Sequence, residues 1–192
     1  MPTSHSHYIL LCIIACTILL RLIELVIAKK NAGKRKTALE VSEKYYFLFF
    51  ILHPFFLISV PVEMIVFQRP FYPSIASISL FLLFFALIGR FSVLTSLREN
   101  WNTKVIYDPQ DASSICTKGL YKYIRHPNYL IVIIELLAIS LFHTCLFSLF
   151  FYSICNAGLL FFRIRAEEEK LLQNPHYASH FQHKKRFIPG IF

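Results

Sequence analysis

Long apolar stretches alternate with short charged segments along this chain. Three windows of about 20 apolar residues, the length that carries a helix across roughly 30 Å of hydrocarbon, occupy residues 8–28, 45–67 and 74–97. A further run, residues 128–162, holds 35 residues with Glu135 and His143 as its main polar interruptions. It is too long for one crossing and a little short for two, so the pattern predicts a helical hairpin turning near His143 and Thr144. Its second helix is predicted to continue past Phe162 through residues 163–172, where Ala, Glu, Lys and Leu favour helix, until Asn174 and Pro175 stop it. The expected architecture is an all-α integral membrane protein of about five transmembrane helices. Residues 1–97 form three N-terminal helices, and residues 98–192 form a second region of loop, hairpin and tail.

Composition supports this reading. The 192 residues are 56% hydrophobic, 16% aromatic and only 16% charged, with a mean hydropathy of +0.53, too apolar for a water-soluble domain of this size. The net charge of +9 is unevenly placed, since residues 29–44, 98–125 and 163–192 hold 17 of the 20 Lys and Arg. Under the positive-inside rule these segments share the cytoplasmic face, which puts the N-terminus outside and the C-terminus in the cytoplasm. The charge thus points to a membrane surface and not to nucleic acid. The membrane would be the inner membrane of a bacterium or the endoplasmic reticulum of a eukaryote. Residues 8–28 read as a retained span, because no Lys or Arg precedes them and no small-residue cleavage site follows. Gly33, Gly89, Gly119, Gly158 and Gly190 never form G-x-G, which excludes glycine-rich dinucleotide and phosphate loops. Cys12, Cys16, Cys116, Cys145 and Cys155 are odd in number and lack C-x-x-C, so neither a disulfide framework nor a zinc site is expected.

Three polar clusters could carry chemistry. The densest runs from Gly119 through Tyr121, Arg125, His126, Pro127 and Asn128 to Tyr129, where the fourth helix begins. Its bland reading is a proline at the first helical position with interfacial anchors. Its functional reading is an anion site, where unpaired N–H groups and a partial positive charge receive a carboxylate or phosphate. The second cluster is Arg163-Ile164-Arg165-Ala166-Glu167-Glu168-Glu169-Lys170-Leu171, with Arg163 and Glu167 on one helical face. A hairpin would return both clusters to the same cytoplasmic edge. The third is the tail, where His176, His180 and His183 accompany Tyr177, Phe181, Arg186 and Phe187. No carboxylate or cysteine stands within it to complete a metal site, so an aromatic and basic cover or a pocket wall is expected. Within the spans, Arg21, Glu24, His53, Glu63, Arg90 and Glu135 must face protein or water. Pairing between helices is the expected role, and a substrate or proton path is the alternative.

On these residues the chain resembles the isoprenylcysteine carboxyl methyltransferase family of integral-membrane, S-adenosylmethionine-dependent enzymes. The resemblance lies in Gly119-x-Tyr121-x3-Arg125-His126-Pro127-x-Tyr129, in Arg163-x3-Glu167-Glu168-x2-Leu171 and in Arg186-Phe187-Ile188-Pro189. The segments from Leu20 to Lys29 and Trp101-Asn102-Thr103-Lys104 are similar to a bacterial branch, some of whose members methylate hydroxyls of long-chain alkylpyrones or phenolic lipids. The resemblance implies a cofactor-binding loop of His126, Pro127, Asn128 and Tyr129, with further cofactor contacts at Tyr121 and Glu167. It also implies a substrate-side catalytic arginine at Arg163. Ser113, Ser114, Ile115 and Cys116 align with another cofactor-contacting segment, although their side chains depart from the family's usual His-Thr-Leu-Val. Ile131 stands where many members have glycine, so helix packing is expected to differ there.

The resemblance implies an S-adenosylmethionine-dependent O-methyltransferase with a cytoplasmic cofactor pocket between the loop before the fourth helix and the C-terminal region. Its acceptor would be lipophilic, either an alkylpyrone or phenolic lipid hydroxyl or a C-terminal S-isoprenylcysteine carboxylate, reached from the membrane lipid. Amine methylation on a phospholipid headgroup is a further alternative. From another class, a non-catalytic scaffold or small transporter would be expected to show paired broken spans and pseudo-repeat symmetry, and the sequence has neither. The oligomeric state is left open.

Overall fold

The computed structural model describes residues 4–33, 39–40, 45–104, 106–107 and 115–188. Ser113, Ser114 and Pro189 lie outside the described residues. Six α-helices follow in order: α1 (Ser4–Ala32), α2 (Tyr46–Val66), α3 (Pro73–Leu97), α4 (Pro127–Phe142), α5 (Leu146–Leu171) and α6 (Pro175–Phe181). Two short strands, β1 (Leu39–Glu40) and β2 (Ile106–Tyr107), pair antiparallel with Leu39 opposite Tyr107.

Helices α1, α2, α3 and α5 are each long and apolar enough to cross a bilayer, as expected of a multi-pass membrane protein. Their outward faces carry large exposed apolar side chains, among them Phe55, Phe81, Phe91 and Ile154, which suits lipid as solvent. Helix α4 is shorter. Its 16 residues span about 24 Å at 1.5 Å per residue. Pro127 sets its start, and a turn at His143 and Thr144 sets its end, with Thr144 at φ 48°. The Thr144 hydroxyl donates to the Pro70 carbonyl (2.9 Å) and fixes that turn against the α2–α3 connection.

The buried face of α1 is Ser6, Leu10, Ile14, Glu24, Ala28 and Asn31, a stripe of helical period. One core forms where Leu10, Phe56, Val60, Met64, Leu136, Phe142 and Tyr152 meet, and a second where Ala28, Ala86, Val93, Trp101 and Ile131 meet. The second explains how the chain accommodates Ile131. A Cβ at Gly89 of α3 would stand 3.1 Å from Ile131 Cδ1, so the small residue sits on the facing helix and lets α3 and α4 approach closely. Glu63 has a related tying role. Its carboxylate accepts N–H groups of Phe147 (3.0 Å) and Ser148 (2.7 Å), capping α5 from α2, while Arg69 pairs with it at 2.6 Å.

Asn174 and Pro175 do follow the end of α5, but they also start α6. The Asn174 side chain accepts from His176 N (2.8 Å) and Tyr177 N (3.3 Å), with Pro175 in the first helical turn. An Asn-Pro pair is a helix-start signal as well as a stop.

Candidate active site

Loop, hairpin and tail converge at one end of the bundle. Gly119 opens the loop at φ +58° with Ser96 Oγ close by, a left-handed conformation that favours glycine. A 3-10 turn at Gly119–Lys122 follows, then His126 at the α4 N-cap. From there, Tyr129 on α4 and Arg163 and Glu167 on α5 come together. The Tyr129 hydroxyl donates to Glu167 Oε2 at 2.5 Å and accepts from Arg163 Nε at 2.7 Å. Arg163 and Glu167 thus share a face as their spacing predicts, with the tyrosine oxygen between them.

Arg163 has surroundings that its spacing alone does not reveal. Its Nη2 donates to the Thr103 carbonyl (2.6 Å). The guanidinium lies 5.3 Å from the Tyr46 ring, 5.2 Å from Phe49 and 5.5 Å from Tyr129. Such an aromatic cage holds the cation by its quadrupoles. Tyr46 and Phe49, on α2, were missed because nothing in the sequence ties them to Arg163. Beside Thr103, Asn102 Nδ2 is buried without a hydrogen-bond partner, a donor ready for a bound group.

A second cluster lies behind the first. His126 stacks on Tyr129 at 5.3 Å, and its Nε2 is 3.0 Å from Glu168 Oε1. Glu168 also takes Arg125 Nη1 (3.2 Å) and Arg186 Nη2 (2.7 Å). Arg125 reaches further into the tail, donating to the carbonyls of Lys184 (2.7 Å) and Gln182 (2.8 Å). The backbone completes the clasp, with Arg125 N donating to Lys185 O and His126 N to Arg186 O, both at 3.0 Å. The tail is therefore a wall of this region, tied on by Glu168. That carboxylate was not singled out at sequence level, although it stands within the Arg163-x3-Glu167-Glu168 segment.

Asn128 Oδ1 accepts from Arg90 Nη1, and Pro127 is buried at the α4 start. The N–H groups of Asn128 and Tyr129 fall in the first turn of α4, where no intrahelical acceptor exists. Tyr121 is half-buried, and burial first, then the nearby Glu167 charge, push its phenol well above the ordinary range. Ile115 is half-buried. Cys116 donates to Ser96 O at 3.4 Å, so its thiol is turned to α3, and burial raises its pKa.

One polar group crosses from here into the apolar bundle. Arg21 pairs with Glu24 (2.7 Å) and with Glu135, while Arg90 pairs with Glu135 (2.8 Å) and Glu24 (3.3 Å). The pairing expected within the spans is thus present, and it joins α1, α3 and α4. Trp101 Nε1 donates to the Glu24 carbonyl (3.2 Å) and Asn31 Nδ2 to the carbonyls of Arg98 and Trp101 (both 2.9 Å). The two N-terminal segments that carry the bacterial resemblance are therefore in contact.

Comparison with known proteins completes the description. The isoprenylcysteine carboxyl methyltransferase family profile matches residues 77–173, a span that contains the loop motif, the hairpin and both glutamates. An uncharacterized protein of Bacillus subtilis (strain 168), YpbQ, is 34% identical over 164 residues, covering 83% of this chain and 94% of its own length. An uncharacterized protein of Haemophilus influenzae is 32% identical over 164 residues, covering 82% of this chain and 91% of its own.

Proposed function

Because this chain belongs to the isoprenylcysteine carboxyl methyltransferase family, we propose that it is an S-adenosylmethionine-dependent O-methyltransferase acting on a lipophilic oxygen acceptor. The observation that carries the reading is the Tyr129 hydroxyl joined at once to Arg163 and Glu167. The donor set fits the cofactor. Glu167 offers an acceptor for ribose hydroxyls or an ammonium group, the α4 N-terminus offers N–H groups for a carboxylate, and Asn102 Nδ2 is an orphaned donor nearby. His126, Pro127, Asn128, Tyr129, Tyr121 and Glu167 would hold it. S-adenosylmethionine supplies a sulfonium methyl, an electrophile that needs only an oxygen anion in line with it.

Arg163 orients that anion through its fork of donors and favours its ionised form. A carboxylate arrives already ionised. An acidic enol or phenol is favoured as its anion beside the guanidinium, its proton released to bulk water. The aromatic cage of Tyr46, Phe49 and Tyr129 suits a planar acceptor better than a flexible peptide terminus, which favours an enol or phenol over prenylcysteine. The two products differ in chemistry, since mild base removes the methyl of an ester and leaves an ether intact. For topology, the proposal is five crossings with α4 the short one, and loop, tail and cofactor pocket on the cytoplasmic side.

Calorimetry with S-adenosylhomocysteine on the purified full chain in detergent tests the reading. Micromolar binding by the wild type, lost in Glu167→Ala, is expected. A folded wild type that binds none would overturn it.

A further inference from the structure

An opening whose lining does not include Arg163 lies elsewhere in the bundle. It is a groove of about 660 Å³ between α1 and α3, inside the roughly 300–1,000 Å³ range of small-molecule sites. One wall is an α1 stripe that includes Tyr8, Cys12, Cys16 and Leu20, and the other is an α3 stripe of Leu80, Leu83, Phe84 and Leu87. From His5 to Glu24 the α1 wall runs about 28 Å at 1.5 Å per residue, so the groove is elongated along the bundle. At one end its lining changes from apolar to Arg21, Glu24, Arg90 and Glu135.

That end distinguishes the groove from an ordinary seam between membrane helices. The side chains of Arg21 and Glu135 remain 29% and 17% exposed although they stand in the apolar bundle, where open charge is costly. Two arginines and two glutamates cancel, so a phosphate headgroup meets no net charge there. A hydroxyl meets both donors and acceptors. The quartet also leads onward, because Arg90 bridges Glu135 to Asn128, the residue before Tyr129. On α2, His53 stacks on Phe49, which faces Arg163. Polar contact thus runs from the groove to Asn128 at the start of α4.

We infer that the α1–α3 groove holds the single alkyl chain of the methyl acceptor, with the Arg21–Glu24–Arg90–Glu135 quartet as the polar threshold that its hydroxylated ring passes, along Arg90 and Asn128, to reach Arg163. The inference rests on the methyltransferase reading and adds to it where the chain lies and why a hydroxyl is admitted ahead of a phospholipid.

The test uses a 4-alkylphenol bearing a diazirine at its chain end, photolysed with the full chain in nanodiscs and mapped by peptide mass spectrometry. Labelling is expected on α1 around Tyr8 and Cys12 and on α3 at Leu80, with competition by the unlabelled phenol. The double variant Leu80→Trp/Leu87→Trp, at two exposed positions lining the groove, should lower labelling about tenfold, the worth of roughly two buried methylenes. Ile88→Trp, exposed on α3 but outside the groove, should leave it unchanged. Label spread evenly over the lipid-facing sides of α2 and α5, or indifferent to the tryptophans, would overturn the groove as a chain site. Calorimetry with S-adenosylhomocysteine on the same preparations separates the two failures. Cofactor binding with diffuse labelling sinks the groove alone, whereas groove labelling in a chain that binds no S-adenosylhomocysteine sinks the acceptor assignment together with the methyltransferase reading.

Discussion

Glu167 and Glu168 are neighbours in sequence but point about 100° apart around α5, and that angle gives them different work. Glu167 is half-buried and turns to the Tyr129 hydroxyl. Glu168, whose side chain is 8% exposed, is held by His126, Arg125 and Arg186. Removing a buried carboxylate from among cations strands them, so Glu168→Ala is expected to cost about 3 kcal/mol and lower Tm in detergent by roughly 10 °C. Glu167→Ala should leave Tm within about 3 °C while abolishing methyl transfer and cofactor binding. If the two variants lost Tm equally, this division of roles would be wrong.

The tail is the element whose attachment responds to solution conditions. Lys184 Nζ donates to the Tyr121 carbonyl at 3.1 Å and also meets His180 Nε2. Desolvation first, and the Lys184 charge second, hold His180 below its ordinary 6.5, and desolvation lowers Lys184 as well. A base with a depressed folded pKa is docked in its neutral form. Its contribution is complete above 6.5 and drains away as pH falls through the folded value. Amide exchange over residues 176–187, corrected for intrinsic rate, should therefore quicken between about pH 7 and pH 5. In His180→Gln the dependence should flatten, and an unchanged slope in that variant would remove the histidine from the account. The ordering of this element was legible in part. Asn174-Pro175 signals a helix start, but no local pattern says that residues 182–187 lie along 124–126, because a parallel contact between such distant segments leaves no periodicity in either.

Across the whole molecule, the Arg21–Glu24–Arg90–Glu135 quartet binds α1, α3 and α4 in a medium that offers few other partners. Losing one member leaves another unpaired, so the double variant Glu135→Gln/Arg21→Gln is expected to destabilise less than the sum of the two single changes. A double-mutant cycle on Tm or denaturation midpoint should return a coupling of about 1–3 kcal/mol, and additivity would show that the pair is not a unit. Apolar run lengths determined the four long helices and the hairpin turn near His143, and helix propensity the extension through Glu167, since the hydrophobic effect, backbone hydrogen bonding in lipid and intrinsic helix preference act on local sequence. The spacing of Arg163 and Glu167 determined that they share a face. Only the tertiary structure decided what lies between and around them: the Tyr129 hydroxyl, the α2 rings, the Glu168 clasp and the groove beside the quartet. These depend on the rotation and register of each helix against its neighbours. Those are set by packing details such as Gly89 against Ile131, which involve residues far apart in the chain and have no signature along it.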